Sequence, residues 1–250
     1  MVVSDNPATR IRLEISHNAE DKKISVGGTC AVANVFDMAG NLAIKPCELA
    51  EKAHPSDVWF RLDVTQNNFR EGLKEMAKLS HMGFSNFSIM LSGLKEADEI
   101  RRARFVAAEC GVLFGVEIPF GVSIDSPGMA LSYDEISRAG ATFAVMDIDS
   151  LSKKIMCHEK IQHEIPEPVS KIIESSITRF KQKGIHVAAR GNMLESTDVL
   201  KELMASGIDS ILAHPANFEK IKLKALYAEK HQELDFMKSK MRMHLRPRSR

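Results

Sequence analysis

The sequence is short of cysteine, of excess charge and of long apolar runs, and each shortage excludes a class of protein. Its four cysteines are scattered, without a Cys-x-x-Cys pair or a Cys/His ligand spacing (Cys30, Cys47, Cys110 and Cys157). A disulfide framework and a zinc site are therefore not expected. A net charge of +1 gives no general attraction to nucleic acid or acidic membrane. No run approaches the ~18 apolar residues of a membrane span, and the N-terminus lacks the pattern of a secretion signal, so we expect a cytoplasmic protein.

What the sequence does contain is a repeated alternation of short apolar runs and amphipathic segments. The runs are rich in β-branched and aromatic residues, which is typical of strands buried on both faces (58–62, 87–91, 113–118, 142–146, 185–189 and 210–213). Two more strands could lie upstream, at 11–15 and 24–26. The segments between the runs carry apolar residues at helical spacing (69–79, 95–110, 169–182 and 197–204). Several end in a glycine just before the next strand, Gly83 among them. This pattern predicts βαβ units and a parallel sheet.

The length of the chain bears on how such a sheet would close. About eight strands in 250 residues favour a closed (β/α)8 TIM barrel, although an open doubly wound sheet would give the same local pattern. We expect one α/β domain over residues 1–250, with an extra C-terminal helix and a basic tail over 218–250.

Polar residues at the predicted strand ends are the candidates for chemistry, because barrel enzymes place their sites at the C-terminal ends of the strands. They are Arg61, Asp63, Ser92, Glu117, Asp147, Asp149, Ser150, Arg190, Asn192 and His214. Each alone fits an ordinary strand-to-loop boundary. Together they combine acids suited to a hard divalent cation with arginines suited to carboxylate or phosphate. Glu117 is the most specific, because a carboxylate within 116–119 would be costly to bury without a cation or a salt bridge.

Several blocks of the sequence, in the same order, resemble the C-terminal barrel of phosphoenolpyruvate synthase and its relative pyruvate phosphate dikinase. The resemblance runs from about residue 58 to residue 221. Residues 207–215, Gly-Ile-Asp-Ser-Ile-Leu-Ala-His-Pro, are very similar to the family's Gly-Ile-Asp-Ser-Ile-Ser-Leu-Asn-Pro. Residues 115–119 resemble the family's Glu-Ile-Pro metal strand, and residues 141–152 lie where the family has Gly-Thr-Asn-Asp-Leu-Thr-Gln.

The resemblance implies a barrel of the phosphoenolpyruvate/pyruvate-binding type that binds a small oxo-acid or phosphorylated acid with Mg²⁺ or Mn²⁺, and that forms a homo-oligomer. The candidate residues are Glu117 with Asp147 or Asp149 for the metal; Arg61, Arg190, Asn192 and Ser92 for the substrate; and His214 and Arg190 for catalysis. His214 would be the acid or base, because an unperturbed histidine titrates near pH ~6.5.

Several positions depart from the family pattern, Asn192 and His214 among them, and two others bear most directly on the chemistry. The catalytic cysteine falls on Arg190, and the second metal aspartate falls on Ser150, beside Asp149. An arginine cannot replace a cysteine as acid, because its pKa stays above ~12, and the family's phosphohistidine and ATP-binding domains have no counterpart here. We therefore expect that the full synthase reaction does not occur on this chain alone. Three hypotheses remain: a metal-dependent site for a small acid, as in a lyase; a non-catalytic regulatory or oligomerisation subunit; and a subunit completed by partner chains.

Overall fold

Within the described residues, eight parallel strands form the centre of the fold. The computed structural model describes residues 10–15, 31–36, 42, 45–157 and 164–244. The strands are β1 (Arg10–Ile15), β2 (Ala31–Asn34), β3 (Val58–Asp63), β4 (Phe87–Ser92), β5 (Phe120–Ile124), β6 (Phe143–Asp147), β7 (His186–Arg190) and β8 (Ser210–Ala213). Each strand pairs with the next, and β8 pairs with β1, so the hydrogen-bonded ladder closes as a barrel. The strand predicted at 24–26 lies outside the described residues.

Helices follow the strands along the chain. They are α1 (Pro46–Ala53), α2 (Phe69–His81), α3 (Asp98–Glu109), α4 (Pro127–Leu131), α5 (Tyr133–Arg138), α6 (Ile148–Met156), α7 (Glu167–Gln182), α8 (Thr197–Ala205) and α9 (Phe218–His244), with short 3-10 turns at Asn192–Glu195 and Pro215–Asn217. The α/β architecture with a parallel, barrel-forming sheet is therefore confirmed. The complete eightfold alternation is not established, because residues 16–30, between β1 and β2, lie outside the described residues. None of the described helices combines the length and the apolar character needed to cross a bilayer.

Side chains on the two faces of the strands build two separate cores. The outer face packs against the helices, with Phe60 and Leu62 of β3 fully buried there. The inner face builds a second core inside the barrel, which comprises Val32, Trp59, Met90, Phe143, Val145, Ala188 and Leu212. In it the ring of Trp59 stacks on that of Phe143, with 3.9 Å between ring centroids. Since side chains alternate between faces, a residue two positions from an inner-core residue also faces inward.

The segment before β5 corrects the sequence-based prediction. The strand expected at 113–118 is wrong, because the strand begins at Phe120. Residues 113–118 instead form a tight turn in which the amide of Gly115 donates to the carbonyl of Ile118, and the amide of Glu117 donates to the carbonyl of Leu113. Glu117 is exposed and precedes β5. It therefore lies toward the N-terminal ends of the strands and not at their C-terminal ends.

Candidate functional site

A ring of polar residues lies on the inner face of the barrel at the C-terminal ends of the strands. All but one are two positions from an inner-core residue or are paired in register with one, and Asp63 is two positions beyond Arg61 and paired with Ser92. The ring, which we call the mouth, comprises Asn34, Arg61, Asp63, Ser92, Ser123, Asp147 and Arg190. Six residues of the mouth form three cross-strand pairs: Asn34 with Arg61, Asp63 with Ser92, and Asp147 with Arg190.

Asp147 and Arg190 form a largely buried ion pair in the mouth. Nε and Nη2 of Arg190 donate to Oδ2 of Asp147 over 2.9 and 2.7 Å. The side chain of Asp147 is only 10% exposed, and that of Arg190 only 16%. The other carboxylate oxygen, Oδ1, accepts the amide of Ser150 over 2.9 Å, which caps the N-terminus of α6. The sequence placed both residues at strand ends, and the structure joins them across β6 and β7.

The surroundings of Asp147 set its protonation. Burial raises the pKa of its carboxyl group, but the charge of Arg190 and the hydrogen bonds from Ser150 and Arg190 lower it, and the net direction is down from the ordinary 3.8. The carboxylate is therefore the form that the folded protein holds at neutral pH.

This shift predicts how stability depends on pH. The pKa of Asp147 is lower in the folded chain than in the unfolded one, where it is near 3.8. The stabilisation of the folded state by this carboxylate is therefore complete above the unfolded-state pKa. It is lost as the pH falls through the lower, folded-state pKa. We expect the difference in unfolding free energy between the wild type and Asp147→Asn to be constant near neutrality and to shrink below pH 3.8, as measured by urea denaturation. Asp198→Asn, an exposed change on α8, is the control. A difference that did not change with pH would contradict this assignment.

Asp149 anchors the loop that follows β7. Its Oδ2 accepts the amide and the side-chain Nδ2 of Asn192 over 2.8 and 3.0 Å, and its Oδ1 accepts the amide of Met193 over 3.1 Å. Between the anchor and Arg190, Gly191 has φ +139°, and a Cβ there would lie 2.7 Å from Oδ1 of Asp149. The expected metal ligand Asp149 and the expected substrate ligand Asn192 are thus bonded to each other, and they hold the backbone beside Arg190.

The remaining predicted residues are spread around the same end of the barrel. Arg61 is half-buried on the inner face of β3. Ser92 is fully buried, and its Oγ donates to the carbonyl of Leu62 over 3.3 Å. His214 directly follows β8 and is exposed, and its Nδ1 accepts the amide of Ala216 over 3.3 Å. Glu117, at the other end of the strands, does not join them.

Asp125 is the acid that the sequence analysis missed. It directly follows β5, is half-buried, and pairs with Lys154 of α6 over 3.2 Å. Its register places it beside Asp147, because the preceding residues Ile124 and Met146 are paired. The sequence does contain a pattern that points to Asp125. Residues 125–127 read Asp-Ser-Pro, a second acid-x-Pro pattern eight residues after Glu117-Ile118-Pro119. Asp125 therefore stands where Glu117 was expected. Asn34 and Ser123 of the mouth were also missed.

The acids near the mouth do not fit the expected Mg²⁺ or Mn²⁺. Among the described residues, no three His, Cys, Asp or Glu side chains form a group that could hold a metal. Both oxygens of Asp147 and both of Asp149 already accept N–H groups. Two unit charges 4 Å apart interact by about 4 kcal/mol at an effective dielectric constant of about 20, so Arg190 would repel a divalent ion on Asp147 by roughly twice that.

These contacts define a parallel α/β barrel protein with an ion-paired polar mouth. No family model matches the chain. The chain is 26% identical over 172 residues to a probable phosphoenolpyruvate synthase of Archaeoglobus fulgidus, covering 66% of this chain and 23% of that protein. It is 24% identical over 208 residues to the phosphoenolpyruvate synthase of Pyrococcus furiosus, covering 67% and 26%. The chain is therefore related to the phosphoenolpyruvate synthases at the family level, and it spans about a quarter of the length of these two relatives.

Solved structures support the fold. A malate synthase of Haloferax volcanii superimposes with a TM-score of 0.62 at 14% identity, covering 88% of this chain and 74% of that one. A citrate synthase variant superimposes with a TM-score of 0.55 at 15% identity, covering 94% and 95%. At such identities the likeness concerns the fold alone.

Proposed function

We propose that the chain is a phosphoenolpyruvate synthase-related barrel that binds a small oxo-acid or phosphorylated acid, of the size of pyruvate or phosphoenolpyruvate, in its mouth. The observation that carries the proposal is the presence of two arginines, Arg61 and Arg190, on the inner face of strands β3 and β7. Guanidinium groups with little access to water bind carboxylate and phosphate by short, charge-assisted hydrogen bonds. The relation to phosphoenolpyruvate synthase supports the same class of ligand.

The other residues of this end have defined parts in the proposal. Asp147 fixes the orientation of the Arg190 guanidinium, so that binding loses little side-chain entropy. Asp149 and Asn192 fix the loop that follows Arg190. The buried hydroxyl of Ser92, level with Asp63, adds a neutral hydrogen-bonding group. His214, exposed just after β8, is the candidate acid or base.

Three further parts of the proposal rest on the resemblance and on composition. They are a single (β/α)8 domain over residues 1–250, a homo-oligomer, and a cytoplasmic location. Neither a nucleic acid nor a membrane is a partner in this proposal.

Isothermal titration with oxalate, pyruvate and phosphoenolpyruvate tests the proposal, in buffer that contains Mg²⁺ so that any metal requirement is met. We expect Arg61→Gln to weaken binding about 10- to 100-fold, because a hydrogen bond to a charged group contributes about 1.5–3 kcal/mol. Arg101→Gln removes the same charge from an exposed position on α3 and is the matched control. Circular dichroism checks that both variants fold.

Two results would contradict the proposal. One is the absence of binding for all three acids. The other is a folded Arg61→Gln protein whose affinity equals that of Arg101→Gln, because the ligand would then be held away from the inner face. Shifts of backbone amide resonances on titration of the wild type give a second measurement that needs no variant, and they should concentrate at 61–63, 92–93, 147–150 and 190–193.

A further inference from the structure

We infer that the mouth binds its acid without a divalent metal, because two cations of the chain, Arg190 and Lys154, already neutralise the acids at the ends of β5 and β6. This inference rests on the proposed function and specifies how the site is charged. It differs from the binding with Mg²⁺ or Mn²⁺ that the sequence resemblance implies.

The first step concerns Asp147, the acid at the end of β6. Its Oδ2 accepts two N–H groups of Arg190, and its Oδ1 accepts the amide of Ser150. A metal ion on this carboxylate would have to displace a guanidinium or uncap α6. The geometry makes Arg190 the standing counter-ion of Asp147.

The second step concerns Asp125, the acid at the end of β5. Its Oδ1 pairs with Nζ of Lys154 over 3.2 Å. In register, Asp125 lies next to Asp147, which lies next to Arg190. This end of the barrel therefore has two adjacent negative charges, each paired with one positive charge, and the four charges sum to zero. A single divalent ion between two carboxylates would give the same sum, so the two monovalent cations take the electrostatic place of such an ion.

The third step excludes the neighbouring acid as a substitute ligand. Asp149 has both oxygens occupied by three N–H groups of residues 192 and 193. Two of these donors are backbone amides, which have no alternative acceptor unless the loop rearranges. Recruiting Asp149 to a metal would release the segment that positions Arg190. Ser150, the residue after it, has no charge.

The test titrates oxalate into wild-type protein in three buffers, with EDTA, with Mg²⁺ and with Mn²⁺, after subtraction of the heat of oxalate–metal association. We expect the three dissociation constants to agree within about twofold, since a metal that takes no part leaves the binding free energy unchanged. Mn²⁺ alone should give no selective paramagnetic broadening of the amide resonances of residues 125–126 and 147–150.

The outcomes separate this inference from the proposed function. Oxalate that binds only with Mg²⁺ or Mn²⁺ would overturn the inference and leave the proposed function intact. Oxalate that binds in none of the three buffers would overturn both. Selective broadening by Mn²⁺ at Asp125 and Asp147 would overturn the inference whatever oxalate does.

A double variant that lacks both counter-ions tests whether their removal lets a metal bind. Lys154→Gln combined with Arg190→Gln removes both counter-ions, and we expect Mn²⁺ to broaden the resonances around Asp125 and Asp147 selectively, at concentrations at least tenfold lower than any that broaden them in the wild type. The matched control is Lys153→Gln with Arg101→Gln, which removes two exposed charges. Lys154→Gln alone changes an exposed side chain and should show a smaller gain in a protein of unaltered stability. Equal broadening in the double variant and its control would overturn the inference.

Discussion

Replacing Arg190 by glutamine is expected to lower the free energy of unfolding by about 3 kcal/mol, because it leaves the carboxylate of Asp147 buried in the barrel without its counter-ion. The Asp147 side chain is 10% exposed, so water cannot replace the two N–H groups that it loses. It keeps the amide of Ser150, which places the effect near the lower end of the range for broken buried pairs. Urea denaturation followed by the fluorescence of Trp59, the only tryptophan of the chain, measures the change.

Two further variants identify the cause of that loss. Arg138→Gln breaks an exposed pair with Glu135, one helical turn away on α5, and we expect less than about 0.5 kcal/mol. Adding Asp147→Asn to Arg190→Gln removes the stranded charge, and the double variant should recover more than half of the loss. Equal effects of Arg190→Gln and Arg138→Gln, or no recovery in the double variant, would show that the pair is not buried as described.

Helices were the most predictable part of the fold. The stripe that begins at Phe69 and the glycine at 83 together predicted α2, which runs from Phe69 to His81. The segments at 169–182 and 197–204 likewise match α7 and α8 to within two residues. The reason is that helical spacing and a following glycine with positive φ are local properties, which the chain carries whatever lies beside it.

The strand before the missed acid shows where sequence reasoning fails. Residues 112–124 are apolar almost throughout, and two acid-x-Pro patterns lie within or just after them, so nothing local fixes which half is the strand. The choice depends on Phe143, which lies 22 residues beyond Gly121 and packs its ring over it. A similar limit applies to the Asp147–Arg190 pair, whose members are 43 residues apart. Each could be placed at a strand end, but their contact depends on the register of β6 and β7.

The packing over Gly121 predicts the other large effect. We expect Gly121→Ala to lower the free energy of unfolding by about 3 kcal/mol, the upper part of the usual range for overpacking a core. A Cβ at this position would collide with both the ring and the backbone carbonyl of Phe143. The ring cannot turn away easily, because it is stacked on Trp59, and the carbonyl belongs to the neighbouring strand of the barrel. The same urea experiment measures the change.

Gly128→Ala is the matched control for this prediction, because a Cβ there comes no closer than 4.0 Å to a neighbouring atom. Gly128 lies in α4, where alanine is favoured over glycine by up to about 1 kcal/mol, so the control should be neutral or stabilising. Adding Phe143→Leu to Gly121→Ala relieves the collision with the ring but not that with the carbonyl, and we expect it to restore only part of the loss. A Gly121→Ala protein as stable as the Gly128→Ala protein would mean that β5 does not begin at Phe120. The placement of Asp125 beside Asp147 would then fail as well, since both depend on the register of β5 and β6.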